Sequence, residues 1–472
     1  MIDLKRLRAD PDHFKRGARD KGIEVDIDRL LELDGQRRTL LAGQEAGRAE
    51  QKKLGKEIGP QIGALKRQLK EATGKDRTAL QDSLRALEQR PLALKAEIQA
   101  YDERIAEIEP PWRHLWLEVP QPADPDVPIG GSPAENVEVR RWHPDWFDPA
   151  RGFRSNKGFD PRTHLELVKD LKLVDFERGV KMAGTRQYVL TGDGMRLQQA
   201  VLRMALDLVA GEHGFTPMSV PVLVREECMV GTGFFPAGRD QAYHVAESQR
   251  GAGHDLFLVG TGEVGLMALH ADEILDEAQL PLKYATVSTC FRREAGAAGR
   301  DTAGLFRVHQ FEKVEQVLIC RADEAESRRW HETMLGIVES LLKRLELPYR
   351  FVQCCTGDLG PKNADMIDVE CWMPGRGDDD ADGRPTGAWG ETHSASRLYD
   401  YQCRRLNLRY RDAGGKTVFC HSLNNTVAAC PRILIPILEL YQNADGSITV
   451  PEALRPYMDG REMIVLRTLQ ME

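Results

Sequence analysis

Apolar residues along this chain follow two different rhythms. In the first quarter they fall at Leu80, Leu84, Leu87, Leu94, Ile98, Tyr101, Ile105 and Ile108, in alternating steps of four and three, with Pro91 at one seam position. Sustained spacing of that kind, with charges between, predicts a coiled-coil seam. A second stripe at Leu54, Ile58, Ile62, Leu65 and Leu69 precedes it, and a looser one at Leu30, Leu31, Leu40 and Leu41 lies further upstream. The break at Ala72-Thr73-Gly74-Lys75-Asp76 reads as a turn with Asp76 as N-cap candidate. The pattern therefore predicts an antiparallel helical hairpin, each helix needing the other for stability. Pro60 and Pro91 are each expected to kink it or end a segment, because proline removes one helix hydrogen bond and crowds the preceding turn.

The second rhythm is mixed. Pro120, Pro122, Pro125 and Pro128 with Gly130-Gly131 read as an extended linker, and Asn136–Trp142 opens a new folded unit. Beyond it, helical spacing covers His164–Leu171 and Met195–Glu212. Strand-like runs cover Phe215–Val224, Asp255–Gly260, Ala285–Phe291, Phe306–Glu315, Tyr349–Cys354 and Asp365–Trp372. Val427–Gln442 is apolar and helix-like. Strands and helices do not alternate strictly, so the expectation is α+β, a mostly antiparallel sheet flanked by helices. The expected division is a helical arm over 1–111, a linker over 112–135 and a second domain over 136–472.

A formal net charge of −8 over 472 residues excludes a uniformly basic nucleic-acid binder, so such a partner would have to meet local patches. The arm offers one, with Lys52, Lys53, Lys56, Lys66, Arg67, Lys70, Lys75, Arg77 and Arg85 on both sides of its turn. Acids are interleaved, and heptads are first a packing signal, so the region taken alone favours a plain dimerisation or spacer coil. Nine cysteines without a CxxC pair suit a reducing compartment and predict no structural zinc. No apolar run is long enough for a membrane span, and the charged N-terminus is unlike a signal peptide, which together predict a cytoplasmic protein.

Candidate chemistry centres on Thr289–Glu315, TCFRREAGAAGRDTAGLFRVHQFEKVE. Two strands joined by a long loop, Ala295–Gly304, would set Arg292, Glu294, Phe311 and Glu315 side by side. Arginine can clamp phosphate oxygens and phenylalanine can stack on a base; a solvated surface hairpin is the plain alternative. Elsewhere, Thr261-Gly262-Glu263 closes a strand, and Glu391-Thr392-His393-Ser394 offers a carboxylate and hydroxyls suited to Mg²⁺ with phosphates, or a helix cap. Arg432 lies in an apolar run, where a structural ion pair is the plain reading.

The order of these residues resembles the class II aminoacyl-tRNA synthetases, and in detail the seryl-tRNA synthetases. FRREAGAAGRDTAGLFRVHQFEKVE is similar to their motif 2, Met195–Pro221 to motif 1, and CTGDLG at Cys355–Gly360 to a family turn. The resemblance implies activation of L-serine by ATP to seryl-adenylate and transfer to tRNA(Ser), with tRNA(Sec) as a second acceptor in the family. It implies a homodimer built on motif 1 and an N-terminal arm that grips tRNA. It gives ATP to Arg292, Arg293, Glu294, Val308, Phe311, Glu391, Thr392, His393, Ser394 and Arg432, with Mg²⁺ on Glu391 and Ser394. L-serine falls to Thr261, Gly262, Glu263, Arg292, Glu315, Asn424 and Thr426. Arg292, Glu294 and Arg432 carry the catalytic roles. This chain departs from the family at Gly262, where alanine is usual, at Thr392 and His393, and at Asn425, Val427 and Pro431, where motif 3 commonly has glycine. Two rivals stand beside this reading: a paralogue that activates serine or another small amino acid for a non-tRNA acceptor, and a catalytically silent RNA-binding or scaffold protein. The retained arm argues against the first, and intact Arg292, Glu294, Glu315, Glu391 and Arg432 against the second.

Overall fold

A computed structural model of the chain describes residues 1–250, 253–297 and 303–466. Residues 298–302 of the expected loop Ala295–Gly304 lie outside them. The chain divides into two compact units, one of Leu4–Pro11 with Glu24–Val119 and one of Met1–Asp3, Asp12–Ile23 and Pro120–Glu472.

The first unit contains two 45-residue helices, α1 (Ile27–Glu71) and α2 (Gly74–Glu118), paired side by side. Asp26 caps α1, its side chain accepting from Arg29 N at 2.8 Å. The turn is shorter than its sequence suggests: only Ala72 and Thr73 are non-helical, Thr73 is the N-cap, and Asp76 sits inside the first turn of α2. Neither Pro60 nor Pro91 ends a segment, and α2 also runs through Pro110 and Pro111. A lone helix would break at such a missing bond; here the partner helix holds the chain helical across it. Leu30, Leu40, Leu94 and Ile98 of the stripes are fully buried, while the positions nearer the tip are half-buried. The helices approach closely at two glycines. A Cβ at Gly43 would stand 2.6 Å from the Tyr101 ring, and one at Gly47 would stand 3.1 Å from Ile98.

The second unit is built on an eight-stranded sheet. Its strands are β1 (Val137–Trp142), β2 (Thr216–Met218), β3 (Leu282–Phe291), β4 (Gln310–Cys320), β5 (Tyr349–Gln353), β6 (Asp365–Met373), β7 (Ala388–Tyr399) and β8 (His421–Cys430), in the order β1-β5-β6-β7-β8-β4-β3-β2. Every pair is antiparallel except β2 with β3. Helices α3 (Asp193–Asp207), α4 (Glu263–Ala268), α5 (Glu324–Arg344) and α6 (Leu434–Leu440) pack around it. Strand alternation divides the sheet into a core face and a site face. Val314, Leu318 and Cys320 of β4 join the core with α3 and α5. Asn425 of β8 faces the same way, donating to Gln316 Oε1 at 2.9 Å and to the Met334 carbonyl of α5 at 3.1 Å. Phe311, Lys313 and Glu315 take the alternate positions of β4, on the other face.

Several elements differ from their sequence reading. The strand expected from Phe306 begins at Gln310, because the chain leaves the β3–β4 ladder and Leu305, Phe306 and Val308 turn inward as buried side chains. Phe215–Val224 splits into two short strands, Thr216–Met218 and Leu223–Arg225, around Pro221. The Met195–Glu212 helix is α-helical to Asp207 and loosens into a π-helical turn over Leu208–Glu212. Gly390–Ser396 is part of β7 and not a capped helix. Val427–Gln442 is the tail of β8, a turn, and only then α6. A buried strand and a helix buried on every side give the same unbroken apolar run, so periodicity cannot separate them.

The glycines of α1 give a two-sided expectation. Gly55 and Gly59 have open space where an added methyl would stand, so Ala at either position stabilises the arm by about 0.5–1 kcal/mol through helix propensity. Ala at Gly43 destabilises it, because Tyr101 must move. Amide hydrogen exchange across α1 and α2 reads both signs; protection rising in all three variants would refute the close-approach account.

Candidate active site

The site face carries a cleft between the β3–β4 hairpin, β7 and the turn after β8, walled by arginines, carboxylates and the Phe306 and Phe311 rings. Arg292, Glu294, Val308, Phe311, Glu391, Thr392, His393 and Arg432, expected at ATP, all line it, together with Thr426, expected at serine. Arg292 follows the last residue of β3; its Nε donates to the Gly260 carbonyl at 3.4 Å and its guanidinium lies 5.3 Å from the Phe311 ring centroid. Glu294 has a left-handed backbone, φ 50°, uncommon for a non-glycine residue, and accepts from Arg307 Nη1 at 2.9 Å. Arg432 stands in the turn between β8 and α6. Its Nε donates to the Phe306 carbonyl at 2.9 Å, its Nη1 to the Glu391 carbonyl at 3.1 Å, and it lies 3.3 Å from the Glu391 carboxylate. Pro431 and Val427 thus leave Arg432 on the cleft; Val427 is the extra residue of a bulge opposite Val314 and Glu315.

His393 is buried, and burial first of all drives its pKa down to about 3. It is a neutral imidazole at physiological pH, hydrogen-bonded through Nδ1 to Thr392 Oγ1 at 2.8 Å, with Nε2 unpartnered. Arg293 does not line the cleft. Its Nη1 donates to the Asp240 carbonyl at 3.1 Å. Ser394 also lies outside the lining, paired across strands with Asp368. Burial, and then the neighbouring Glu391 charge, push the Asp368 carboxyl well above the usual carboxylate range, and its Oδ1 has no hydrogen-bond partner. Crowded carboxylates of this kind, beside a serine hydroxyl, fit a divalent cation. Among the described residues, one group of three potential ligands lies close together, Cys354, Asp358 and Asp368, their donor atoms within 4.8 Å of one another.

Beside the cleft lies a cluster of buried polar side chains, called the polar pocket below. Thr286 of β3, Glu315 of β4 and Thr426 of β8 are directly paired neighbours, which puts them in one row on the site face. Glu315 is 2% exposed. Burial raises its carboxyl, Lys313 pulls it back, and the nearby Glu263 charge adds to the rise. Lys313 forms an ion pair with Glu315 and donates to Thr261 Oγ1 at 2.9 Å. Glu263, at the start of α4, is the pocket's second buried carboxylate. It accepts from Lys362 Nζ at 2.8 Å on each oxygen, from Gln402 Nε2 at 2.7 Å and from Asn424 Nδ2 at 2.6 Å.

Gly262 has a physical reason to be glycine here. A Cβ on it would stand 2.4 Å from Thr286 Cγ2 and 2.8 Å from Ser288 Oγ. The side chain of Thr286 occupies the space that alanine at 262 would need.

The sequence reading missed Lys313, Lys362 and Gln402, which face the two buried carboxylates, and Phe306. Lys313 was within reach: strand alternation puts it on the face of Phe311 and Glu315. Phe306 lies between two guanidiniums in the cleft wall, 4.5 Å from Arg432 and 3.9 Å from Arg376; its distance in sequence from both hid it. Lys362 and Gln402 reach Glu263 across 99 and 139 residues, with no local signal.

The Gly262–Thr286 contact predicts that Gly262→Ala lowers stability by about 1–3 kcal/mol through overpacking, and that adding Thr286→Ala recovers most of it. Thermal unfolding of the single and double variants measures this; equal losses in both would show that the two positions are not coupled.

The profile described as "Seryl-tRNA synthetase N-terminal domain" matches residues 1–111, and that described as "tRNA synthetase class II core domain (G, H, P, S and T)" matches residues 243–441. The serine--tRNA ligase of Deinococcus radiodurans is 40% identical over 464 residues, 98% of this chain and 99% of that one. That of Thermomicrobium roseum is 41% identical over 466 residues, 98% of this chain and 95% of that one. The crystal structure of seryl-tRNA synthetase from Pyrococcus horikoshii, complexed with ATP, matches with a TM-score of 0.78 at 35% identity, covering 99% of this chain and all of that one. With similarity of that extent to relatives along their whole length, and with both halves of the architecture present, the chain belongs to the seryl-tRNA synthetase family of class II aminoacyl-tRNA synthetases.

Proposed function

We propose that this chain is an ATP-dependent serine–tRNA ligase that activates L-serine as seryl-adenylate and transfers it to tRNA(Ser). The observation that carries this reading is an adjacency: a cleft lined by arginines and aromatic rings opens beside a buried polar cluster holding Thr261, Glu263 and Glu315, with Lys313 common to both. In the reaction, the serine carboxylate attacks the α-phosphorus of ATP and the bond to pyrophosphate breaks. The terminal hydroxyl of tRNA then attacks the acyl carbonyl and AMP leaves. Such chemistry depends on positioning and on charge stabilisation. Arg292 is assigned to the α-phosphate and serine carboxylate, and Arg432 to the γ-phosphate. Glu294 and Val308 take the adenine side, where Phe311 stacks. Arg293 turns away from the cleft, which limits it to the rim. Thr392 and His393 form the wall as neutral groups.

Glu315, Thr261, Asn424 and Thr426 are assigned to serine. A pocket that hydrogen-bonds the substrate hydroxyl rejects alanine, because buried polar groups would be left unpaired. Mg²⁺ would be held by Glu391 and Ser394 beside Asp368, supplying positive charge to the phosphates. Acceptance of tRNA(Sec) belongs to the same proposal. So does the homodimer, for which exposed Met195 on α3 and Val287 on β3 offer apolar surface to a second copy. No helix among the described residues is long and apolar enough to cross a membrane, in keeping with a cytoplasmic enzyme.

The arm is proposed to grip tRNA through its tip, acting as its own domain ahead of the linker. Lys66 pairs with Glu88 at 2.6 Å, whereas Lys52, Lys56, Lys70, Lys75 and Arg77 are exposed with no ion pair among the described residues. Exposed cations of this kind neutralise RNA phosphates.

The deciding measurement is amino-acid-dependent ATP–pyrophosphate exchange with serine, threonine, alanine, glycine and cysteine. Exchange with serine alone is expected, and Arg432→Ala should lower it by about 100-fold or more. Strong exchange with another amino acid, or none, would overturn the reading. Replacing Lys70, Lys75 and Arg77 together by Gln should raise KM for tRNA and flatten its salt dependence while exchange stays unchanged; unaltered charging would remove the tip from the tRNA contact.

A further inference from the structure

Lys313 holds a position that the assignments above leave unexplained. Its side chain is 6% exposed, and its ammonium contacts Thr261 Oγ1 and Glu315 at once. Both are among the residues assigned above to serine, and Glu315 is the carboxylate there whose bonds are fewest, so the pocket already contains a cation where a substrate ammonium would sit. Lys313 is also part of the cleft wall, with Arg292, Phe311 and Thr426. It therefore borders both the pocket and the nucleotide site.

Charge balance points the same way. The pocket has two buried carboxylates and two ammoniums, Glu263 with Lys362 and Glu315 with Lys313. The Glu263 carboxylate is fully occupied by Lys362, Gln402 and Asn424. Only the Glu315 partner can be exchanged without stripping a buried charge of several hydrogen bonds. An entering amino acid brings one ammonium and one carboxylate. If its ammonium takes Glu315, Lys313 loses its partner, and the substrate carboxylate is the compensating charge. Lysine has a flexible four-carbon stem that can swing an ammonium between two such positions.

We propose that Lys313 is a built-in stand-in for the substrate ammonium, displaced from Glu315 when serine binds and transferred to the serine carboxylate at the edge of the nucleotide cleft. In the empty pocket it keeps Glu315 ionised and receptive. In the loaded pocket it orients the nucleophilic carboxylate toward the α-phosphorus. This assignment rests on the serine pocket proposed above and makes Lys313 a further catalytic residue.

The test uses the full-length protein with serine, with ethanolamine, which has the ammonium and hydroxyl but no carboxylate, and with the variants Lys313→Met and Lys313→Arg. Wild-type protein should show serine-dependent exchange and only weak competitive inhibition by ethanolamine. Lys313→Met should lower the exchange kcat by about 100-fold and bring the ethanolamine inhibition constant to within about threefold of KM for serine, because Arg292, shared with the α-phosphate, is then the carboxylate's one remaining cation. Lys313→Arg should recover part of both. A variant that loses exchange yet keeps the wild-type preference for serine over ethanolamine would overturn the proposal, as would one that keeps wild-type kcat. A crystal structure of wild-type protein with serine and a non-reactive ATP analogue makes the test independent of variant folding. Lys313 Nζ should be within hydrogen-bond distance of the serine carboxylate; Lys313 still seated on Thr261 and Glu315 would overturn it. Failure of the serine reading itself would be distinct: wild-type protein would show no serine-dependent exchange at all.

Discussion

Two carboxylates buried within one pocket are the constraint from which the rest of the catalytic unit follows. Taking a carboxylate out of water is costly unless a cation and hydrogen bonds replace the solvent. Glu263 obtains them from Lys362, Gln402 and Asn424, and Glu315 from Lys313. These partners come from β4, β8, the turn before β6 and the short helix after β7. The last three must be in place before the Glu263 charge is tolerated, whereas Glu315 has its cation on its own strand. The Glu263 half of the pocket is therefore a consequence of the completed fold.

The sheet makes that arrangement possible by separating chemistry from packing with every second residue. Along β4, Val314, Leu318 and Cys320 enter the core with α3 and α5, while Lys313 and Glu315 face the site. The bulge at Val427 lets β8 bring Thr426 beside Glu315 while Val427 and Ala428 both stay in the core. Loss of the motif 3 glycines is absorbed locally. The turn after Cys430 still carries Arg432 to the cleft, tied to the carbonyls of Phe306 and Glu391. At Gly262 the change from the family's alanine is matched by Thr286, whose side chain fills the vacated space.

The arm obeys a simpler rule. Its stability comes from one seam between two long helices, with glycines at 43 and 47 where the helices come closest. Toward the tip the seam positions are only half-buried, so packing gives way to exposed charge. That gradient leaves the tip free to meet a polyanion without disturbing the packed base.

The sequence alone determined whatever repeats locally. The heptad stripes of α1 and α2, the alternation in β3, β4 and β6, and the grouping of Arg292, Glu294, Phe311 and Glu315 were legible because their periods of 3.5 and 2 are written in neighbouring residues. The motif order also brought Glu391 and Arg432 to the same cleft. What the tertiary structure decided was how buried charge is compensated and where apolar runs change conformation. Lys362 and Gln402 reach Glu263 across 99 and 139 residues, Phe306 meets Arg432 from a distant turn, and Val427–Cys430 is strand because β4 pairs with it. Burial on every side erases the periodicity that would have marked those residues, and long-range hydrogen bonds leave no trace in local pattern. Pro60 and Pro91 show the same limit: local rules would end the helix there, and the partner helix overrides them.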